Sequence, residues 1–146
     1  MSVHVTTRLV TQDDAPGLAE LLARHREAMA PWEPIRDESY YTETGQKEVI
    51  REILDRHAQG QAQPCVILVD QDRQGRGVAT VAVESMLRLA FADLGLHRVE
   101  AGTLLHNAAS RRVLARNGFT EIGVAPRYLK IAGRWQDHLL HQRLAG

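Results

Sequence analysis

The sequence predicts an α/β fold in a single domain that covers residues 1–146. Short apolar runs of strand length alternate along the chain with longer segments in which apolar residues recur at helical spacing. A length of 146 residues suits one domain that buries a substantial core. The chain shows no internal repeat, linker or low-complexity segment, so nothing in it suggests a second domain.

The N-terminal part predicts a strand over residues 3–10 and then a helix. Residues 11–14, with the sequence Thr-Gln-Asp-Asp, resemble a capping box before a helix that ends near Ala30. Pro31 and Pro34 prevent that helix from continuing, because proline cannot donate the hydrogen bond that the helix interior requires.

The remaining elements follow from the same periodicities. Thr42 or Thr44 caps a second helix, which ends at Gly60, and Cys65–Val69 is an apolar strand. The predicted C-terminal elements are a helix from Thr80 to Gly95, a strand over residues 97–103, a helix over Ala108–Arg116, strands over residues 119–124 and 127–131, a hairpin turn at residues 132–133 and a strand over Arg134–Leu144.

A glycine-containing loop joins strand Cys65–Val69 to the third helix. It includes Gln74, Gly75, Arg76 and Gly77 and enters the helix through Val78 and Ala79. Glycine has no Cβ atom to keep a phosphate from the backbone, and a helix start supplies free N–H donors and the positive end of the helix dipole. The pattern predicts a phosphate or pyrophosphate site, with a tight turn that binds nothing as the alternative. Neither a Gly-Lys-Ser/Thr loop nor a complete G-x-G-x-x-G motif is present.

Gln74, Gly77 and Ala79 match the pattern Q/R-x-x-G-x-G/A. The loop therefore resembles the pyrophosphate loop of the acetyl-coenzyme A-dependent N-acetyltransferases of the GNAT superfamily. Residues 97–119 are similar to the second coenzyme A segment of that superfamily, in which a strand leads to an Asn near the next helix start and a Gly-Phe pair follows the helix. Residues 8–10, 31–32 and 128–138 resemble the RimJ/RimL-like branch, which acetylates the N-termini of ribosomal proteins.

The resemblance implies a GNAT-like α/β (α+β) fold with a mixed, mostly antiparallel twisted sheet and helices on both faces. It also implies acetyl-CoA as the cofactor and an acyltransferase reaction on a primary amine, with a protein N-terminal α-amino group as the first choice of acceptor. A small-molecule amine such as an aminoglycoside or polyamine is an alternative. So are a non-catalytic coenzyme A-binding module and a purely structural α/β domain.

The chain departs from the superfamily before the loop. Members place three antiparallel strands between the second helix and the pyrophosphate loop, whereas this chain has room for one. About 20 to 40 residues are missing between Asp70 and Gln71. Cys65–Val69 would then replace the family's fourth strand beside residues 98–103, and the first strand would need a new partner. Either the sequence omits part of a longer chain, or the protein itself is shortened.

The resemblance also implies which residues hold the coenzyme. They lie at the end of the strand before the loop, in the loop, and at the start of the helix that follows the next strand. The predicted set is Leu68, Val69, Gln74, Gly75, Arg76, Gly77, Val78, Ala79, Thr80, Asn107 and Ser110.

Three residues are candidates for catalysis by the same resemblance. Ser110 is the candidate proton donor, or else a first-turn serine that satisfies a backbone N–H. Glu100 is the candidate base, or else a solvated strand residue. Tyr128 is a further candidate, with core packing as the alternative. Many superfamily members use a helix tyrosine as the acid, and Leu114 occupies that position here.

The loop after the first helix is rich in aromatic residues. In the enzymes that the chain resembles, this loop borders the acceptor pocket. Trp32, Tyr40 and Tyr41 are therefore candidates for contact with the acceptor. The alternative is that they cover a small core.

Charge and composition restrict the partners. Eighteen basic and eighteen acidic residues cancel, so no nucleic-acid or membrane patch is expected. The single cysteine, Cys65, is expected to be a buried thiol. His138 and His141 lie three apart on a predicted strand and would face opposite sides, so we expect no metal site. The N-terminus lacks the apolar core of a signal peptide. These features predict a cytoplasmic monomer or homodimer.

Overall fold

The computed structural model describes residues 4–69 and 77–146. The chain forms two compact units. One unit comprises the described residues of Met1–Thr7, Ile67–Lys130 and Trp135–Gly146, and we call it the C-terminal unit. The other comprises Arg8–Val66 and Ile131–Arg134, and we call it the N-terminal unit. The single domain over residues 1–146 stays a prediction.

The described elements follow the predicted alternation of strands and helices. Their bounds are β1 Val5–Leu9, α1 Ala15–Arg24, α2 Arg26–Met29, α3 Glu43–Ala58, β2 Cys65–Val69, α4 Val78–Arg88, β3 Arg98–Leu104, α5 Ala108–Arg116, β4 Thr120–Ile131 and β5 Arg134–Leu144. Single 3₁₀ turns lie at Gln12–Asp14, Ala30–Trp32 and Glu38–Tyr41, and a π-helical turn at Leu89–Asp93 extends α4. No helix in this part of the chain is long and apolar enough to cross a membrane.

The core of the N-terminal unit lies between α1 and α3. Val10, Ala15 and Ile50 are buried together. The partly buried side chains packed against them are Leu18, Ile53, Leu54 and Val66. Apolar residues at helical spacing on both helices therefore meet in one cluster, as the periodicity predicted.

Local capping signals place the helix ends. The N–H of Gly45 donates to Thr42 Oγ1 over 3.1 Å, so Thr42 is the N-cap of α3. Beyond the other end of α3, Gly60 has a φ of +73°, a left-handed conformation that glycine adopts without strain. Both predicted boundaries of this helix are confirmed. The first predicted helix instead breaks at His25, whose φ of −102° and ψ of 12° separate α1 from the single turn α2.

The strands form two sheets where the sequence predicted one. β1 pairs with β2, and β5 lies between β3 and β4 in a three-stranded sheet. The prediction that the first strand needs a new partner is confirmed, because its partner is β2. The ladder partner of β2 is β1, however, and not β3. Residues 59–64, between α3 and β2, contain no strand, in agreement with the shortened sequence.

The C-terminal hairpin has the predicted turn. Ala132 and Gly133 have φ values of +51° and +79°, which match a type I′ turn between antiparallel strands. The two strands predicted over residues 119–131 are one strand, β4. Arg127 has a φ of +49°, and its N–H donates to Asp137 Oδ1 over 2.9 Å. This contact from β5 accommodates the irregular residue, so β4 continues past it.

Candidate active site

The N-terminus of α4 has the geometry of an anion site. Gly77 precedes the helix with a φ of +75°, so a residue with a side chain would be strained there. A Cβ atom added at Gly77 would meet no atom of residues 4–69 or 79–146 within 4 Å, and Gly77 has no side chain to cap the helix. The first-turn N–H groups can therefore donate hydrogen bonds to an anion, which would cap the helix. The predictions for Gln74, Gly75 and Arg76 lie outside the described residues.

The other predicted coenzyme residues near this helix start differ in exposure. Leu68 on β2 is 44% exposed, and Val69 is half-buried. On α4, Ala79 is exposed while Val78 and Thr80 are half-buried. The neighbouring Ile67 is 50% exposed, and adjacent residues of a strand point to opposite faces, so exposure alone does not assign Leu68 to the coenzyme.

Asn117 joins α5 to the start of α4, a role that the sequence reading missed. Its Nδ2 donates to the Thr80 carbonyl over 3.1 Å and to the Val113 carbonyl over 3.0 Å. The Asn117 carbonyl accepts from Arg143 Nε of β5 over 3.2 Å. One residue thus holds the first turn of α4 against the end of α5 and against the sheet. In the sequence, the only sign of this role is the position of Asn117 directly before the Gly-Phe pair.

Asn107 and Ser110 share the first turn of α5. The N–H of Ser110 donates to Asn107 Oδ1 over 3.1 Å, so Asn107 is the N-cap of α5. Within the described residues, Asn107 Nδ2 and Ser110 Oγ make no hydrogen bond. The capping role considered for Ser110 therefore belongs to Asn107, and the serine hydroxyl is available to a ligand.

Glu100 and Tyr128 lie on one face of the three-stranded sheet. Glu100 is exposed and forms an ion pair with Arg98, as in the solvated alternative considered for it. Tyr128 is 48% exposed, and its ring lies 5.6 Å from the ring of the buried His138. A Cβ atom at Gly102, two residues after Glu100, would lie 3.9 Å from Tyr128. Strand alternation therefore places both candidates on the same side.

A buried polar pair, Thr103 and His141, lies on the opposite face of this sheet. Thr103 Oγ1 lies 3.2 Å from His141 Nε2. Burial lowers the pKa of His141, and the nearby charge of Glu121 opposes this shift while that of Arg111 adds to it. His138 and His141 pair with Leu104 and Ala101 of β3, so they face opposite sides as predicted. The described residues contain no group of three potential metal ligands among His, Cys, Asp and Glu.

Two arginines lie over the tyrosine rings of the N-terminal unit. Tyr40 and Tyr41 meet edge to face, with ring centroids 5.3 Å apart. Arg36 lies 4.7 Å from the Tyr40 ring, and Arg26 lies 4.2 Å from the Tyr41 ring. Trp32, in the preceding 3₁₀ turn, is 38% exposed. All three rings remain accessible in part, as contact with an acceptor requires.

Comparison with known proteins decides the family. A family model described as "Acetyltransferase (GNAT) domain" matches residues 65–120. The chain is 31% identical to the [Ribosomal protein uS5]-alanine N-acetyltransferase of Escherichia coli, over 94% of this chain and 86% of the relative. The chain belongs to the GNAT acetyltransferase family. It is therefore an acyltransferase, and the family membership expected from the sequence is confirmed.

Solved GNAT structures share the fold. Ribosomal-protein-S5-alanine acetyltransferase from Vibrio fischeri is 27% identical, covers 99% of this chain and 94% of its own, and gives a TM-score of 0.85. RimJ from Mycobacterium smegmatis, solved in complex with CoA-disulfide, is 29% identical over 97% of this chain and 82% of its own, with a TM-score of 0.90. The predicted mixed α/β fold is thus confirmed.

The alignment with the Escherichia coli enzyme also bears on the missing strands. It extends over 166 residues, although this chain has only 146. Residues of the relative therefore stand opposite gaps in this GNAT chain. That difference agrees with a shortened segment before the glycine loop.

Proposed function

We propose that this GNAT enzyme transfers the acetyl group of acetyl-CoA to the α-amino group of a protein N-terminus, with ribosomal proteins as the acceptor class. The identity of 31% to the Escherichia coli uS5-alanine N-acetyltransferase, over 94% of this chain, carries the proposal. We further propose that the enzyme acts in the cytoplasm, because ribosomal proteins are available there.

The described residues fit the coenzyme at two places. The N-terminus of α4 suits the pyrophosphate group, because Gly77 places no Cβ atom there and no atom among the described residues beyond its chain neighbours lies within 4 Å of that position. Asn107 keeps Nδ2 as a donor while Oδ1 caps α5, so the same residue can orient the amide-containing arm of the coenzyme. When bound, acetyl-CoA supplies an acetyl thioester, which an amine can attack directly.

Ser110 is proposed to donate the proton to the leaving sulfur. Its hydroxyl makes no hydrogen bond within the described residues, and its N–H is fixed by Asn107. The hydroxyl therefore lies on the first turn of α5, which the Asn107 cap holds in place, and no group in residues 4–69 or 77–146 competes for it. Leu114 is buried and has no proton to give, which leaves Ser110 as the donor that α5 offers.

The acceptor amine needs only a modest base. An α-amino group has a pKa of about 8, so a substantial neutral fraction exists at pH 7. Glu100 is the proposed proton acceptor. Tyr128, which lies on the same face of the sheet around Gly102, is proposed as the alternative to Ser110 as proton donor. Glu100 must leave its ion pair with Arg98 to take part.

Trp32, Tyr40 and Tyr41 are proposed to contact the acceptor chain. Arg26 and Arg36 cover these tyrosine rings and fix their positions. Such rigid aromatic side chains lose little conformational freedom on binding a peptide.

The test is transfer of labelled acetyl from acetyl-CoA to a peptide whose N-terminus copies a ribosomal protein beginning with alanine. A matched peptide with a formylated N-terminus and the same internal lysines is the control. We expect label on the free N-terminus alone. Label on both peptides, or only on small amines such as spermidine, would contradict the proposed acceptor.

Coenzyme A binding is measured by calorimetry on the same sample. Binding without any transfer would identify a coenzyme-binding module and would also overturn the proposal. Absence of binding would reject the enzymatic function of this chain.

A further inference from the structure

The C-terminal unit contains a groove along the two helices whose first turns carry proposed coenzyme residues. It has a volume of about 680 Å³ and runs along α4 and its π-helical extension, past the end of α5, to β5. We call it the α4–α5 groove. Its charged and aromatic lining residues are Glu84, Arg88, Phe91, Arg116 and Arg143.

The groove and most of the proposed coenzyme residues occupy different parts of the same helices. Thr80 lines the groove, whereas Gly77, Val78, Ala79, Asn107 and Ser110 do not. Arg116 follows Asn107 by nine residues on α5, which at about 100° per residue places the two on opposite faces of the helix. The groove also extends along α4 to Phe91, some four turns beyond Gly77 at 3.6 residues per turn.

The charge of the groove favours an anion. Three arginines line it against one carboxylate, that of Glu84. Arg88 and Arg116 form no ion pair or hydrogen bond within the described residues. Arg143 is anchored, because Nε donates to the Asn117 carbonyl and Nη1 donates to the Leu144 carbonyl over 2.6 Å. Two guanidinium groups without a partner among the described residues, in the same groove as the anchored Arg143, suit a phosphate monoester, which carries a charge of about −1.5 to −2 at pH 7.

Other lining residues favour a ligand that also carries a ring and hydroxyl groups. Phe91 presents an aromatic surface, with Arg143 6.0 Å from its centroid, and Leu87 lies in the same wall. Glu84 is an acceptor that a sugar hydroxyl can satisfy. Thr80 Oγ1, at the edge of the groove, is buried without a hydrogen-bond partner among the described residues. A buried hydroxyl without a partner is costly, and a ligand atom can supply one.

We propose that the α4–α5 groove binds a small phosphate ester with a flat ring, of the nucleoside monophosphate class. The phosphate lies against Arg88 and Arg116, the ring against Phe91, and the sugar hydroxyls reach Glu84. The groove volume is within the range of about 300–1,000 Å³ that is usual for small-molecule sites. Since Thr80 borders the groove and belongs to the first turn of α4, the ligand contacts the helix whose start is proposed to hold the coenzyme.

The probe for this site is uridine 5′-monophosphate, because it lacks the adenine ring of coenzyme A. Calorimetry on the full chain at low salt is expected to show saturable binding with one site. Inorganic phosphate and uridine are titrated separately, and each is expected to bind at least about tenfold more weakly than the nucleotide, since each retains only one of the two sets of contacts.

Variants separate a specific site from general attraction to basic protein. The double variant Arg88→Ala/Arg116→Ala is expected to weaken nucleotide binding at least about tenfold. Arg112→Ala removes an exposed arginine from the same helix without touching the groove, and it is expected to leave binding unchanged. Arg88, Arg112 and Arg116 are all exposed, so the melting temperature of each variant is expected to stay close to that of the wild type.

Coenzyme A titration of the same variants decides whether the groove is separate. We expect coenzyme affinity to be unchanged in the double variant and the nucleotide to remain bound when coenzyme A saturates its own site. The proposal is overturned by absence of saturable nucleotide binding, by equal losses in Arg112→Ala and the double variant, or by displacement of the nucleotide by coenzyme A. If the wild type does not bind coenzyme A, the proposed acetyltransferase function is rejected. The result of the nucleotide titration would still stand.

Discussion

Asn107 Oδ1 accepts a hydrogen bond from the N–H of Ser110 over 3.1 Å. The contact closes the first turn of α5 and leaves two groups, Asn107 Nδ2 and Ser110 Oγ, available at the helix start. A structural function and a ligand-binding function therefore meet in one side chain. Substitutions can separate them, because serine caps a helix as asparagine does but has no amide.

Asn107→Ala is expected to lower the free energy of unfolding by about 1 kcal/mol, because the cap of α5 is lost. Asn107→Ser is expected to restore most of that stability without restoring coenzyme affinity. Chemical denaturation and coenzyme A calorimetry measure the two effects. Recovery of coenzyme affinity in the serine variant would show that Nδ2 is not used.

Ser110→Ala is expected to lower kcat by about tenfold to a hundredfold, because the proposed proton donor is removed. Coenzyme affinity and thermal stability should stay near wild-type values, since the Asn107 cap uses the backbone N–H of residue 110. Ser110→Thr keeps a hydroxyl and is expected to retain most of the rate. An unchanged kcat in Ser110→Ala would exclude Ser110 as the donor.

Gly77→Glu and Gly77→Gln form a matched pair. Both force a residue with a side chain into a left-handed conformation, and each is expected to lower the free energy of unfolding by about 1 kcal/mol. Only glutamate adds a negative charge at the start of α4. We therefore expect calorimetry to show at least about tenfold weaker coenzyme binding for the glutamate variant than for the glutamine variant. Equal affinities would argue against an anion at this position.

The contacts of Asp14 should make part of the free energy of unfolding depend on pH in the acid range. Two hydrogen bonds from Arg8, of 2.8 and 2.6 Å, and one from the Thr11 N–H lower the Asp14 pKa to about 2. The unfolded-state pKa is higher, so this stabilisation is complete above about pH 4 and is lost as the pH falls to about 2. Because Arg8 is partly exposed, we expect a contribution of about 1 kcal/mol or less.

Asp14→Asn tests this dependence while keeping an oxygen that can accept from Thr11. Its unfolding free energy is expected to lie below that of the wild type at pH 7 and to converge with it near pH 2. Asp13→Asn is the control, because Asp13 forms no ion pair within the described residues. A constant difference between wild type and Asp14→Asn across this range would show that the ion pair with Arg8 does not stabilise the fold.

Local features of the fold could be predicted from the sequence because their causes are local. Thr42 caps the helix that begins one residue later, and the left-handed pair Ala132-Gly133 turns the chain between two adjacent strands. The Asn107 cap spans only three residues. Such signals lie within a few positions of each other and are visible in a single sequence.

Contacts distant in sequence could not be predicted. The pairing of β1 with β2 depends on which strands are missing, and no local pattern specifies it. Asn117 reaches back 37 residues to the Thr80 carbonyl, and an amide side chain has no single preferred partner. The joining of two predicted strands into β4 depends on Asp137 of another strand, which holds the N–H of Arg127. The α4–α5 groove combines helices and a strand, so no single segment of sequence indicates it.

The hairpin turn between β4 and β5 contains a strained residue whose replacement can stabilise the fold. Ala132 holds a φ of +51°, a conformation that costs an L-amino acid with a side chain about 1 kcal/mol and that asparagine tolerates better. Gly133 should remain, because its φ of +79° is a left-handed conformation that glycine adopts without strain. Ala132→Asn is therefore expected to raise the melting temperature by a few degrees, measured by differential scanning calorimetry. Relief of backbone strain at one turn would raise the stability of this enzyme without adding any contact.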